Sequence, residues 1–159
     1  MLARLGLRAN EIATLTLDDV DWQAGQLSVQ AKGRQRAQLP LPHEVGSAVA
    51  TYLQNGRPQS DSRRLFLRDL APHAGFTSSG GISMIAAAAL KRAGIQGVAH
   101  KGSHLFRHSL ATALLRAGAS LTEIGQVLRH QDHDTTRIYA KVDIDSLRVL
   151  SLRWPGGVR

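Results

Sequence analysis

The sequence predicts an α+β fold, mainly α-helical, with one small three-stranded antiparallel β-sheet. Three observations carry this expectation. Apolar residues recur at helical spacing in four separate stretches, 45–53, 82–93, 106–117 and 121–128. Leu27, Val29 and Ala31 alternate with Gln26, Ser28 and Gln30, the period-two pattern of a half-buried strand. Lys32-Gly33-Arg34-Gln35 makes a hairpin tip, and a return strand runs to Leu39 before Pro40 and Pro42 end it.

Taken in order, Met1 to Arg8 reads as the end of a helix interrupted at Gly6, followed by a short helix from Ala9 to about Leu15. So apolar an opening normally belongs to a longer core element, so the chain is expected to start inside one. Asp18, Asp19 and Asp21 break the helical pattern, and Ala24-Gly25 offers a turn. Val45, Ala48, Val49, Tyr52 and Leu53 give a helix that Asn55-Gly56-Arg57-Pro58 stops. A polar loop carrying Arg57, Arg63 and Arg64 leads to Leu65-Phe66-Leu67, the expected third strand. Ala71 to Gly81 reads as a flexible loop, after which Ile82, Ile85, Ala86, Ala89, Leu90 and Ala93 define an amphipathic helix closed by Gly94.

The next helix takes Ser103 as N-cap, with Phe106, Leu110, Ala113, Leu114 and Ala117 as the stripe facing a core. His104, Arg107 and His108 then fall on the opposite side, near a helix N-terminus that favours an anion. Gly118 ends this helix, and Ser120-Leu121-Thr122-Glu123 supplies a capping box for one that buries Leu121, Ile124, Gly125 and Leu128. His130 lies at its end. Asp132-His133-Asp134-Thr135-Thr136 caps a short helix carrying Tyr139, and Asp143 caps a last one with Ile144, Leu147 and Leu150 apolar. Pro155-Gly156-Gly157 releases a tail.

The length of 159 residues suits one domain. Lys and Arg number 20 against 12 Asp and Glu, a net charge of +8 that suits a polyanionic partner, nucleic acid above all. Aromatic residues are only 4% of the chain, too few for a single-strand binder built on stacked bases. The absence of cysteine excludes disulfides and thiolate metal sites and fits a reducing compartment, so a cytoplasmic location is expected. The longest apolar run, Met84 to Leu90, is far short of the ~20 residues of a membrane span. With neither a full apolar h-region nor a small-residue cleavage site in its first residues, the sequence is not expected to carry a secretion signal.

Four pieces stand in order: Gly6-Leu7-Arg8-Ala9-Asn10-Glu11, Lys32 on its hairpin, His104-Leu105-Phe106-Arg107-His108, and Leu128-Arg129-His130 with Tyr139 nine residues later. This set closely resembles the catalytic domain of the tyrosine recombinase, or phage integrase, family, and does so over nearly the whole chain. The resemblance implies catalytic roles for Arg8, Lys32, His104, Arg107, His130 and Tyr139. It makes Glu11 a support for the first arginine and His108 a non-catalytic neighbour. It implies a double-stranded DNA partner and a tetramer on two DNA sites, with Ile144 to Leu152 a candidate for packing onto a neighbour. Two departures stand out. The family often has Gly where Arg129 stands, a change expected to add only a surface charge. Members also carry an N-terminal DNA-clamping domain, whereas residues 1–159 read as a single catalytic domain without it.

The chemistry such residues support is specific. Breaking DNA without ATP or metal requires the phosphodiester energy to be kept in a covalent bond, which a phenol provides as a 3′-phosphotyrosine. With a pKa of ~10, tyrosine is a weak nucleophile at neutral pH. Arg8 and Arg107 fit the task of meeting charge on the non-bridging oxygens, because guanidinium stays protonated and presents a planar fork. Lys32 is the candidate general acid for the departing 5′-oxygen. His104 and His130 divide the remaining work, accepting the phenol proton and bonding the phosphate, in an order that stays open. Arg34, Arg36 and Lys101 are expected DNA contacts.

Bland readings stand beside each of these: a surface ion pair for Arg8 and Glu11, a solvated tip for Lys32, a C-cap for His130, a core ring for Tyr139. His100, His104 and His108 are spaced to share a zinc ion, but Arg107 would put a cation inside that shell, so no metal and no cofactor are expected. His43, His73 and His133 read as surface residues. No membrane and no small-molecule substrate are expected. Two other functions remain open: a catalytically silent, truncated DNA-binding remnant, and a type-IB topoisomerase.

Overall fold

The computed structural model describes residues 1–30, 36–95 and 102–129. The chain forms two compact units, Met1–Arg107 and His108–Arg159. The hairpin tip and all elements expected beyond Arg129 lie outside the described residues.

The first unit opens with α1 (Leu2–Leu5) and α2 (Ala9–Thr14), separated by Gly6 in a left-handed conformation. A 3₁₀ turn (Leu17–Asp19) follows, then the strands β1 (Val20–Asp21), β2 (Gln26–Gln30) and β3 (Arg36–Pro40). The turn has a cause in the sequence: Asp19 Oδ2 accepts from the backbone N–H and the hydroxyl of Thr16, each at 2.8 Å. The aspartates that interrupt the helical pattern therefore cap a tight turn. The sheet is antiparallel in the order β1-β2-β3, with Leu27 opposite both Val20 and Leu39. Leu27 and Val29 are fully buried, as the alternation requires, and join Leu7, Ile12, Leu15, Val45 and Val49 in one core.

The sheet has three strands, but Leu65-Phe66-Leu67 is not one of them. That segment makes only isolated bridges, Arg64 with Thr16 and Leu67 with Gly75. The first bridge is made by Leu65 N–H to the Leu15 carbonyl at 2.8 Å and Leu17 N–H to the Arg63 carbonyl at 2.9 Å, and pairing stops there because Leu67 N–H turns to the Tyr52 hydroxyl at 3.1 Å. The two-residue β1 takes the edge instead, too short to show a period in the sequence.

α3 (His43–Asn55) buries Val45, Gly46 and Val49 but leaves Ala48 outside. α4 (Ser79–Arg92) begins three residues before its expected start, because Ser78 Oγ accepts from Gly80 N–H and carries the two glycines into the helix. Ile82, Ala86 and Leu90 face inward, whereas Ile85 and Ala93, expected inside, are exposed.

α5 (Ser103–Arg116) corrects the expected stripe. Its buried line is Ser103, Arg107 and Ala111, four residues apart; Phe106, Leu110 and Leu114 are half-buried, and Ala113 and Ala117 are exposed. Ser103 is the first helical residue and no cap; its hydroxyl meets Ser83 Oγ on α4 at 3.0 Å.

In the second unit, Ala111, Ile124 and Leu128 are fully buried and gather Leu110, Leu114, Leu115 and Ala119. Gly118 ends α5 at φ 90. α6 (Leu121–Leu128) starts with the expected capping box: Glu123 N–H donates to Ser120 Oγ at 3.2 Å, and Ser120 N–H to Glu123 Oε2 at 2.7 Å. The helix ends on Arg129 at φ 54 and ψ 47. This is the left-handed region that favours glycine, so a side chain here strains the backbone as well as adding a charge. Among the described residues no helix is long and apolar enough to cross a membrane.

Candidate active site

Arg8 is the N-cap of α2, in extended backbone at φ −74 and ψ 149. Three residues on, the buried carboxylate of Glu11 turns back to it. Oε2 accepts from Arg8 N–H at 2.7 Å and Oε1 from the Arg8 guanidinium at 3.0 Å. The first bond satisfies a donor that the helix start leaves open. The second is charge-assisted, and together they keep a carboxylate that is only 5% exposed from being buried alone. The Arg8 side chain remains 43% exposed with its guanidinium held by Glu11.

Arg107 is held differently. At 7% exposure it lies on the inward line of α5, and its Nη1 donates to the carbonyl of Gly6, 101 residues earlier. A buried guanidinium needs acceptors for its donors, and a carbonyl supplies one without bringing a negative charge. Gly6 stands two residues before Arg8, so one short backbone segment receives one arginine and carries the other. The segment thus anchors one permanently protonated planar group and carries another at the start of a helix.

His104 is exposed on the first turn of α5, three residues before Arg107, and His108 is half-buried one residue after it. Arg36 forms an ion pair with the buried carboxylate of Asp19 while its own side chain stays 63% exposed. Other arginines outside the site are used structurally. Arg57 bonds the Ser62 and Arg64 carbonyls at 2.6 and 3.0 Å, Arg64 bonds the Thr14 carbonyl, and Arg63 pairs with Asp18. Lys32, Arg34, Lys101, His130 and Tyr139 lie outside the described residues, as do His100 and His133.

Two roles are not legible in the sequence. Gly6 marks a helix break and belongs to the motif that carries Arg8, but nothing local marks its carbonyl as an acceptor for a distant arginine. Ser83 gave no signal at all, being a serine inside a helix. A cavity of about 530 Å³ lies elsewhere, lined by Met1, Leu2, Val49, Tyr52, Phe66 and Phe106 among others, and includes neither arginine. Its apolar wall would reject a phosphate.

Against this geometry, residues 1–145 match the model of the phage integrase family. The chain is 56% identical over 98% of its length to y4rA of Sinorhizobium fredii, whose name is that of an integrase/recombinase, and spans 37% of that protein. It is 36% identical to y4gC of the same organism over 98% of this chain and 80% of that one. It is 34% identical to the tyrosine recombinase XerC of Oceanobacillus iheyensis, covering 93% of this chain and 49% of XerC. The crystal structure of XerA recombinase superposes with a TM-score of 0.77 at 28% identity, over 94% of this chain and 53% of that one. A DNA-bound XerH recombinase superposes at 0.74 with 22% identity, over 98% of this chain and 44% of that one, which shows the shared fold. The chain belongs to the phage integrase family of tyrosine recombinases.

Proposed function

We propose that this chain is the catalytic part of a site-specific DNA recombinase or integrase that cleaves and rejoins double-stranded DNA through a 3′-phosphotyrosine. Tyr139 attacks the scissile phosphate, and its phosphorus–oxygen bond replaces the bond to the departing 5′-oxygen. Arg8 and Arg107 bind the two non-bridging oxygens and stabilise charge that grows there in the transition state. Lys32 protonates the 5′-oxygen as it leaves. His104 and His130 share acceptance of the phenol proton and hydrogen bonding to the phosphate. Ligation reverses these steps, with a 5′-hydroxyl attacking the phosphotyrosine. Glu11 supports Arg8, and His108 supports the turn that carries Arg107. Neither metal nor cofactor enters the scheme. Arg34, Arg36 and Lys101 contact the DNA backbone, and four copies act on two DNA sites.

The observation that carries this reading is the bond from Arg107 Nη1 to the carbonyl of Gly6, two residues before Arg8. It joins the anchor of one cation to the backbone of the other, as a clamp on a single phosphate requires.

The test is covalent trapping. The 159-residue chain is incubated with a pool of randomised nicked duplexes, from which a cleaved strand is lost and ligation cannot follow. Denaturing electrophoresis should reveal a protein–DNA adduct, and Tyr139→Phe should abolish it while duplex binding persists. An undiminished adduct from the Phe variant rejects Tyr139 as nucleophile. Duplex binding without any adduct from the unsubstituted chain favours the silent DNA-binding reading. Relaxation of supercoiled DNA by a monomer, without exchange between sites, favours the topoisomerase reading.

A further inference from the structure

The carbonyl that receives Arg107 belongs to a residue whose backbone conformation decides where that carbonyl points. Gly6 ends α1 at φ 56 and ψ 27, in the left-handed region. Leu5, Gly6 and Leu7 are all buried, so the reversal is built into the core and is not a loose joint. Two residues later the chain is extended at Arg8 before α2 begins. The Cα atoms of Gly6 and Arg8 are therefore no more than about 7 Å apart. Within that span the segment accepts a hydrogen bond from one guanidinium and projects the other, which Glu11 then holds.

We propose that Gly6 is a positioning residue for strand cleavage: its left-handed conformation aims its carbonyl at Arg107 and so sets the separation of the two guanidinium groups over one phosphate. The role rests on the reading of Arg8 and Arg107 as the phosphate clamp. A right-handed or extended residue 6 would turn the carbonyl away, leaving Arg107 present and charged but displaced relative to Arg8. Displacement of a catalytic group by ~1 Å can slow a reaction by about a hundredfold without weakening binding in proportion.

Conformation and space are separable, because asparagine is larger than alanine yet tolerates the left-handed region far better. Gly6→Ala should slow adduct formation about ten- to a hundredfold in single-turnover trapping, with the affinity for duplex unchanged. Gly6→Asn should recover most of the rate. Steric damage alone predicts the opposite order, with the larger side chain worse. A second measurement needs no activity: in protein labelled with ¹⁵N-arginine and ¹³C-glycine, a coupling across the hydrogen bond should link Arg107 Nη1 to the Gly6 carbonyl carbon.

Equal rates for Gly6→Ala and the unsubstituted chain overturn the proposal, as does an Asn variant slower than the Ala variant. So does absence of the coupling, including where Gly6→Ala fails to fold. If the unsubstituted chain gives no adduct, it is the recombinase reading that fails, while the coupling still decides whether Gly6 holds Arg107.

Discussion

The N-cap of α2 and the second turn of α5 each deliver an arginine, and they hold it by opposite means. Arg8 stays 43% exposed and is gripped by a carboxylate three residues away, whereas Arg107 is 7% exposed and is gripped by a backbone carbonyl 101 residues away. The first contact forms as soon as one helical turn forms. The second exists only when the N-terminal segment and α5 have come together. Arg107 is thus a structural member of the first unit as well as a candidate catalyst, while Arg8 is mostly a candidate catalyst resting on a structural carboxylate.

The largest expected effect tests that asymmetry directly. Arg107→Ala should slow adduct formation at least about 10²-fold and also destabilise the fold by about 2–3 kcal/mol, since a buried carbonyl loses its donor. Arg8→Ala should slow the reaction comparably but cost only about 1 kcal/mol, because the backbone N–H of residue 8 still donates to the Glu11 carboxylate and keeps it from being left unpaired. Urea melts beside single-turnover trapping separate the two. Equal stability losses would erase the difference between the turns.

A second substitution sharpens the comparison from the carboxylate side. Glu11→Ala removes the acceptor for both the Arg8 N–H and its guanidinium and should cost about 2 kcal/mol, with slower cleavage. In a double-mutant cycle with Arg8→Ala the losses should fall short of additive by about 1 kcal/mol, whereas Glu11→Ala and Arg107→Ala should add, if the two arginines are held independently. Coupling between Glu11 and Arg107 as large as that between Glu11 and Arg8 would merge the two anchors into one network.

How far the sequence spoke for itself follows the same division. Contacts made within one turn were legible: the Ser120–Glu123 box, the β2–β3 alternation, and Glu11 beside Arg8 each combine a residue type with a fixed short spacing. Contacts made across the chain were not. On α5, spacing rules put Arg107 outside because arginine counts as polar, yet its line holds only Ser103 and Ala111, small residues that leave room for a long side chain to turn inward. The acceptor waiting there is a backbone atom, which no side-chain pattern records. Leu65-Phe66-Leu67 is apolar enough for a strand, but its pairing with the Thr16 segment stops after one bridge, where Leu67 N–H is taken by the Tyr52 hydroxyl. Ser78 pulls Ser79, Gly80 and Gly81 into α4, where composition alone argued for a loop.

A smaller effect extends the contrast between glycine and side chain to the second unit. Gly6 meets a left-handed position with the residue suited to it, and Arg129 meets one with a residue that is not. Arg129→Gly should raise stability by about 1 kcal/mol, read as a higher urea midpoint at unchanged slope. A loss of stability instead would mean that the Arg129 side chain contributes more than its backbone strain costs.

The smallest effect concerns a pair that resembles Arg8 and Glu11 in chemistry but not in burial. Arg63 and Asp18 are both 65% exposed, and the bond from the Arg63 guanidinium holds the Asp18 carboxyl below its ordinary 3.8. A carboxylate lowered in the folded state adds stability that is present above the unfolded value and disappears as pH falls through the folded one. Asp18→Asn should therefore melt slightly lower than the unsubstituted chain at pH 6. The gap should begin to narrow as the pH falls below 3.8 and close only below the lowered folded value, where both forms carry an uncharged side chain. Raising the salt at pH 6 should also narrow it, because screening acts on exposed charges. Repeating the salt series at pH 6 with Glu11→Gln isolates burial as the variable: a gap that survives salt there, beside one that vanishes for Asp18, is what a carboxylate only 5% exposed requires. Equal salt sensitivity at the two sites would mean that Glu11 is reached by solvent and that Arg8 is held no more firmly than Arg63.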